Sequence, residues 1–452
     1  MCTIEAWLKK HHIADVECII PDLTGMARGK KIPTSKYLSE KPRLPEGTLL
    51  QDVRGDFCAE YFDLIASEDK DMLLVADEST IRQIPWLDKP TAQVIHDCYT
   101  MEGDLHPLSS RNVLKRVLAE YENCGLEAVA AAEVEFYLVQ KNTDPSLELQ
   151  PPVTRSGRTE RIRQPYGIET LTDYQPIFDT LYRYCDVQHL SIDTLVHELG
   201  PAQMEINFLH GDPLAMADQV FMFKRTMREV ALQHGVYATF MAKPFADEPG
   251  SSMHIHQSVI DKKTGKNIFS AEDGTKTEQF YYFLGGLQHH TQDLLALYAP
   301  NVNSYRRFTK EQGAPINLHW SYDNRTVGIR VPNATVAATR IENRFAGIDC
   351  NPYLAIATSL ACGLVGIKNK IKPDQAFEGC AYEEKSDNKS VNNRSIETDL
   401  GQALSNLERK DAVHSIIGEK FIQAYRYVKL EELEQFNRII TPWEREFLLL
   451  NV

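Results

Sequence analysis

Charged and apolar residues alternate along Glu133-Val134-Glu135-Phe136. That is the period of a β-strand, whose successive side chains point to opposite faces. Val134 and Phe136 then face one way, and Glu133 and Glu135 the other. Met253-His254-Ile255-His256-Gln257 alternates in the same manner, with both imidazoles on one face. Arg340-Ile341-Glu342-Asn343-Arg344-Phe345 sets Arg340, Glu342 and Arg344 opposite Ile341 and Phe345. A single strand of this kind fits a solvated sheet edge equally well. Three of them, carrying Glu, His and Arg, favour an active-site channel: a curved sheet or open barrel with a polar, ion-lined interior. Neighbouring buried carboxylates repel and raise each other's pKa. Unpaired buried charge is costly, so a cation, most simply a divalent metal, is expected among them.

The rest of the chain supplies the frame. Residues 3–10 predict a short amphipathic helix with Ile4, Trp7 and Leu8 on one face. Strands are expected at 16–20, after Arg28-Gly29-Lys30, at 72–75 and at 92–96, with a turn at 22–25 and a charged loop at 51–56. Together they suggest a small α+β domain ending near residue 100. A helix follows to about Cys124, with Ser109 or Ser110 as N-cap and Gly125 as its stop. The polar, proline-bearing stretch 141–167 reads as a long loop. Further helices are expected at 173–185, from Asp212-Pro213 to Gly235, at 277–297 and along the tail 411–449. The most apolar run, 353–367, is too short and too rich in small residues to cross a bilayer, and predicts a buried, closely packed helix. Residues 380–398 hold almost no aliphatic side chains and read as a surface excursion.

Composition narrows the class. A chain of 452 residues exceeds one typical core, so two or three domains are expected. A net charge of −14 with no basic cluster argues against a nucleic-acid partner. Nine cysteines without a C-x-x-C pair suit reduced thiols in the cytosol. The N-terminus lacks the basic-then-apolar order of a signal peptide. The expectation is a cytoplasmic protein with no membrane partner.

Two further acids join the strand residues. Glu198 and Glu205 flank Leu199-Gly200-Pro201, where a turn can bring them together. Candidate ligands are then Glu133, Glu135, Glu198, Glu205 and Glu342, with His254 as nitrogen donor. Carboxylate-dominated sites suit Mg²⁺ or Mn²⁺. Arg306, Arg307, Arg325, Arg330, Arg340 and Arg344 crowd into one short region. Some would be solvated in any protein, but arginine on an apolar strand grips carboxylate or phosphate. Divalent cations facing arginines form an arrangement for phosphoryl transfer. No G-x-x-x-x-G-K-[ST] loop is present, so any nucleotide is held another way.

Several of these stretches, read together, resemble the glutamine synthetase family. The resemblance rests on Lys243-Pro244, Pro249-Gly250-Ser251-Ser252-Met253-His254-Ile255-His256-Gln257-Ser258, Glu133 to Phe136 and Glu198 to Glu205. It continues through Asn303 to Phe308, Asn324-Arg325-Thr326, Arg340 to Phe345 and Asn351-Pro352-Tyr353-Leu354, covering nearly the whole chain. It implies an α+β protein: a β-grasp N-terminal domain over 1–103 and a split-barrel, creatine kinase-like catalytic domain over 104–452. It also implies hexameric rings stacked as a dodecamer. The loop around Asp52 would close a neighbour's site as a catalytic contribution.

By motif, Glu135, Glu198 and Glu205 would hold one metal, and Glu133, His254 and Glu342 another, with two or three Mg²⁺ or Mn²⁺ per site. Arg307, Arg344 and the Gly250 backbone would bind glutamate, and Arg325 the transferring phosphoryl group. His256, Ser258, Arg330 and Arg340 would lie on the ATP side. Two departures stand out. Ser252 occupies a position where the signature usually has Gly or Ala, a change expected to affect local backbone more than chemistry. Aligned on Arg307 and Pro315, Gly313 holds the place of the flap glutamate that helps bind ammonium in true glutamine synthetases; Glu311 is the acid that could swing in instead. With the runs Asp22 to Lys30 and Asn301 to Phe308, this looks most like the γ-glutamylputrescine synthetases. The expected activity is ATP-dependent ligation of glutamate to putrescine, another polyamine or a related amine. The alternative is an ammonia-using glutamine synthetase.

Overall fold

A computed structural model describes residues 3–58, 60–65, 68–309, 313–383, 395–409 and 411–452. Two antiparallel-rich sheets organise the mixed α/β fold. The first comprises β1 (Asp15–Pro21), β2 (Ala27–Pro33), β3 (Arg43–Pro45), β4 (Asp71–Ala76), β5 (Arg82–Gln83) and β6 (Thr91–Tyr99). Their order is β2-β1-β6-β4-β3, with β5 also on β6. β6 lies between β1 and β4 and is buried from Thr91 to Cys98, as a central strand covered on both faces should be. The β1–β2 turn is tied by Asp22, whose Oδ1 accepts from the N–H groups of Thr24 and Met26, both at 2.9 Å.

The second sheet carries the charged rows. Its strands are β7 (Leu126–Gln140), β8 (Ile192–His197), β9 (Gln203–Phe208), β10 (Val236–Thr239), β11 (Met253–Asp261), β12 (Trp320–Tyr322), β13 (Ile329–Val331) and β14 (Ile341–Asn343). They run in the order β12-β13-β14-β11-β7-β9-β8, and β10 pairs with the far end of β7. The three strands singled out by alternation are therefore adjacent, in an open, barrel-like sheet. On the apolar side of β7, Phe136 packs against Phe223 and Phe240 at ring distances of 5.9 and 5.6 Å. Phe223 belongs to the Pro213–Gln233 helix, which begins where Asp212 accepts from the N–H of Ala215 at 2.8 Å.

The Pro352–Asn369 helix is buried through Gly366. Its close packing is possible because a Cβ on Gly286, in the neighbouring Glu278–His290 helix, would stand 2.2 Å from the Cys362 carbonyl. Buried Arg111 ties the first sheet to the Pro213–Gln233 helix, donating to Asp77 at 2.7 Å, to Asp218 at 2.7 and 3.0 Å, and to Asp97. Asn351 adds hydrogen bonds to the Asp22 and Leu23 carbonyls.

Two expected helices are broken. The 277–297 stretch divides into Glu278–His290 and Leu295–Tyr298. Between them His290 reaches Asp411 at 2.7 Å and Asp293 accepts from Arg409 at 2.7 Å, so long-range partners override local helical preference. The tail divides into Ala412–Ile417, Glu419–Asn437 and Pro442–Phe447. Gly418 at φ +104° and the Thr441 cap before Pro442 are the breaks. Residues 384–394 of the expected surface excursion lie outside the described residues, as does Glu311; Ile396 at its end is buried beside Ile316. Among the described residues no helix is long and apolar enough to cross a membrane.

Candidate active site

Strand register gathers the charged side chains. Across antiparallel neighbours, paired residues share a face. Glu205 on β9 is opposite Glu135 on β7, Glu133 is opposite His254 on β11, His256 is opposite Glu342 on β14, and Glu342 is opposite Arg330 on β13. One charged row thus crosses five strands. Glu198 ends the β8–β9 hairpin, where its N–H donates to the Gln203 carbonyl at 2.8 Å. The turn is tight: a Cβ on Gly200 would meet the Tyr137 hydroxyl at 2.0 Å.

Glu133 is the hub. Its carboxylate lies 3.1 Å from His254 Nδ1 and 2.8 Å from His256 Nε2. Burial pushes this carboxyl up, but the hydrogen bonds from the two imidazoles outweigh it and hold it well below the usual carboxylate range. Glu342 accepts from Arg330 at 2.9 Å and from Arg344. Burial opposes its ionisation, yet Arg344 and then the two histidines bring it down to about 2. The other three acids behave oppositely. Burial and then repulsion by Glu133 and Glu198 push Glu205 up to about 8. Burial and then Glu198 and Glu205 raise Glu135. Burial raises Glu198 as well, with exposed Arg325 pulling the other way.

Glu135, Glu198 and Glu205 thus resist ionising together, because nearby cations do not offset their combined charge. Ligand atoms of Glu133, Glu205 and His254 lie within 4.8 Å of one another, and so do those of Glu133, His256 and Glu342. Hard oxygen donors with imidazole fit a divalent cation. These groupings share Glu133 and bring in His256, which the motif comparison places on the nucleotide side.

The remaining residues fall around this row. Arg340 donates to His256 Nδ1 at 3.1 Å, linking it to Glu133 through the imidazole. A cleft of about 360 Å³ is lined by Glu133, His256, Ser258 and Arg340. Arg330 does not line it; it pairs with Glu342 and with Asp323 at 2.6 Å. Arg307 is fully buried below Gly250, where a Cβ would stand 2.4 Å from its Cγ. Its Nη1 donates to Ser252 Oγ at 2.6 Å. The Ser252 side chain therefore has a polar partner as well as a place in the backbone. Among the described residues, the side-chain nitrogens Nε of Arg307, Arg330 and Arg344 are buried without an acceptor. Gly313 is exposed at φ +83°, with no atom of the described residues within 4 Å of a Cβ.

Asp52 stands apart. Its carboxylate accepts from the N–H groups of Arg54 and Asp56, at 2.8 and 3.0 Å, and from the Arg54 guanidinium at 2.7 Å. The loop docks on its own chain through Val53 N–H to Glu432 at 2.9 Å. Within one chain, then, these contacts tie Asp52 to its own loop rather than to Glu133.

Sequence reasoning passed over Gln203 and Asn207. Gln203 Nε2 donates to the Gly250 carbonyl at 3.0 Å, and Asn207 is opposite Glu133. Gln203, Glu205 and Asn207 share the period of two, so the signal was present in neutral amides.

The family model described as glutamine synthetase, catalytic domain, matches residues 107–448. Glutamate–isopropylamine ligase of Pseudomonas sp is 32% identical over 98% of this chain and 96% of its own length. Glutamine synthetase of Pyrococcus abyssi is 34% identical over 95% of each. γ-Glutamylputrescine synthetase PuuA of Escherichia coli K12 is 32% identical over 96% of this chain and 92% of its own. A solved structure described as apo GmaS without ligand superposes with a TM-score of 0.84 at 27% identity, covering 100% of both chains. The chain belongs to the glutamine synthetase family of carbon–nitrogen ligases.

Proposed function

We propose that the protein joins the γ-carboxylate of glutamate to an organic amine, putrescine or a related one, using ATP and passing through γ-glutamyl phosphate. The observation that carries the choice of amine is Gly313. At the aligned flap position it brings no side-chain carboxylate of its own, and no atom of the described residues lies within 4 Å of where its Cβ would stand. The relatives' names span organic-amine ligases and ammonia-using synthetases at similar identity, so they support the reaction class and leave the nucleophile to the site.

Glutamate's carboxylates are gripped by Arg307 and Arg344, buried cations with unspent N–H donors. ATP enters the cleft beside His256, Ser258 and Arg340. A γ-carboxylate oxygen attacks the γ-phosphorus, the bond to the bridging oxygen breaks, and ADP leaves. Arg325 faces the transferring group, and Arg330 completes the nucleotide side. Glu135, Glu198 and Glu205, with Glu133, His254 and Glu342, would hold two or three Mg²⁺ or Mn²⁺, which offset phosphate charge. The neutral amine then attacks the acyl carbon, phosphate leaves, and the excess proton passes from nitrogen to a carboxylate. Asp52 of a neighbouring subunit takes that role in our reading, with residues 1–103 as a β-grasp domain, 104–452 as the catalytic domain and a cytoplasmic dodecamer of stacked rings.

The second reading, an ammonia-using glutamine synthetase, draws on the 34% identity to the Pyrococcus enzyme. Phosphate release with glutamate and ATP, compared across ammonium, putrescine, spermidine and simple monoamines, tests the proposal. We expect an organic amine to give the highest kcat/KM; preference for ammonium overturns it.

A further inference from the structure

Arg307 is fully buried, and among the described residues it forms no ion pair. Its two hydrogen bonds go to neutral acceptors, Ser252 Oγ at 2.6 Å and the Phe345 carbonyl. The acid that most perturbs it is Glu135. Ser252 stands between them. Its N–H donates to Glu135 Oε2 at 2.8 Å, while its hydroxyl accepts from Arg307. Both contacts are buried, so one residue fixes the Glu135 carboxyl through its backbone and the Arg307 head group through its hydroxyl. The Gly250 backbone packed on the arginine stem fixes the stem but leaves the head group to be directed.

We propose that Ser252 is a positioning residue of the glutamate site, whose hydroxyl fixes the direction of the Arg307 head group so that its remaining N–H donors can meet a substrate carboxylate. This rests on the reading of Arg307 as glutamate-binding. Without the hydroxyl, Arg307 Nη1 loses the acceptor that fixes the head group, and its grip on glutamate weakens. Gly or Ala, the usual signature residues, cannot supply this oxygen.

The test uses full-length Ser252→Ala and Ser252→Gly, which remove the same oxygen with different packing, and Ser252→Thr, which keeps it. KM is measured separately for glutamate and ATP, and glutamate binding is measured by calorimetry with Mg²⁺ and a non-hydrolysable ATP analogue. Loss of a hydrogen bond to a charged group should raise KM and the calorimetric Kd for glutamate about tenfold in both truncations, with KM for ATP within about twofold. Ser252→Thr should restore glutamate binding. If Ser252→Ala fails to fold, Ser252→Gly carries the comparison. Unchanged glutamate affinity overturns the proposal, and so does a parallel rise in both KM values with a lowered melting temperature, which marks a merely structural role. A wild-type protein without glutamate-dependent ADP formation would instead overturn the ligase reading itself.

Discussion

Glu135 on β7 and Glu205 on β9 are direct cross-strand partners, both buried and on the same face of the sheet. Two like charges at that spacing destabilise a sheet unless something lies between them. Burial, reinforced by neighbouring carboxylates, raises both, and Glu205 reaches about 8. A carboxyl with a raised folded pKa binds its proton more tightly when folded. Its contribution is complete below the unfolded value of 4.5 and is lost as pH climbs toward about 8. His96 and His106 act in the opposite sense: burial pushes both down to about 4, so they favour folding above 6.5 and oppose it as pH falls below that. Above pH 6.5 the histidine gain is complete while the carboxyl loss continues, so in EDTA the melting temperature should fall between pH 6.5 and pH 8. Saturating Mg²⁺ or Mn²⁺ should remove the fall at pH 8. Thermal scans across this range check it, and a melting temperature that rises from pH 6.5 to 8 in EDTA contradicts the electrostatic picture.

The charged row was legible before any coordinates because a period of two assigns faces without reference to the rest of the chain. Glu133, Glu135, His254, His256 and Glu342 declared their shared side that way. Periodicity does not report register, and register decides that His256 meets Glu342 and Glu133 rather than facing outward alone. Ser252 carries no local mark of its bond to Arg307, which lies 55 residues on. The break after His290 likewise depends on Asp411, 121 residues away. Such partners are selected by packing between elements, and no window of sequence contains both members.

Glu342 carries an unequal burden in that row. It is 1% exposed and is the shared acceptor for Arg330 and Arg344. Removing one member of a buried ionic cluster leaves its partners desolvated and unpaired. Glu342→Gln should destabilise the fold by about 3–5 kcal/mol. Chemical denaturation of both proteins in EDTA separates this loss from any change in cation binding. A difference below about 1 kcal/mol, the range of an ordinary surface pair, would mean that the two arginines find other acceptors.

Gly313 offers the sharpest handle on the nucleophile. Its φ of +83° strains any other residue by about 1–2 kcal/mol, but no atom of the described residues lies within 4 Å of a Cβ there. Gly313→Glu should therefore still fold and, on the proposed reading, set a carboxylate beside the amine site. That carboxylate fills room needed by a carbon chain and attracts the small ammonium ion. The ratio of kcat/KM for the organic amine to that for ammonium should fall by about tenfold or more, corresponding to about 1.4 kcal/mol of discrimination. Gly313→Gln separates the two causes, because it occupies similar volume without charge. If space dominates, Gln lowers the ratio as much as Glu; if charge dominates, only Glu does. An unaltered ratio in both variants would place the choice of amine elsewhere in the site.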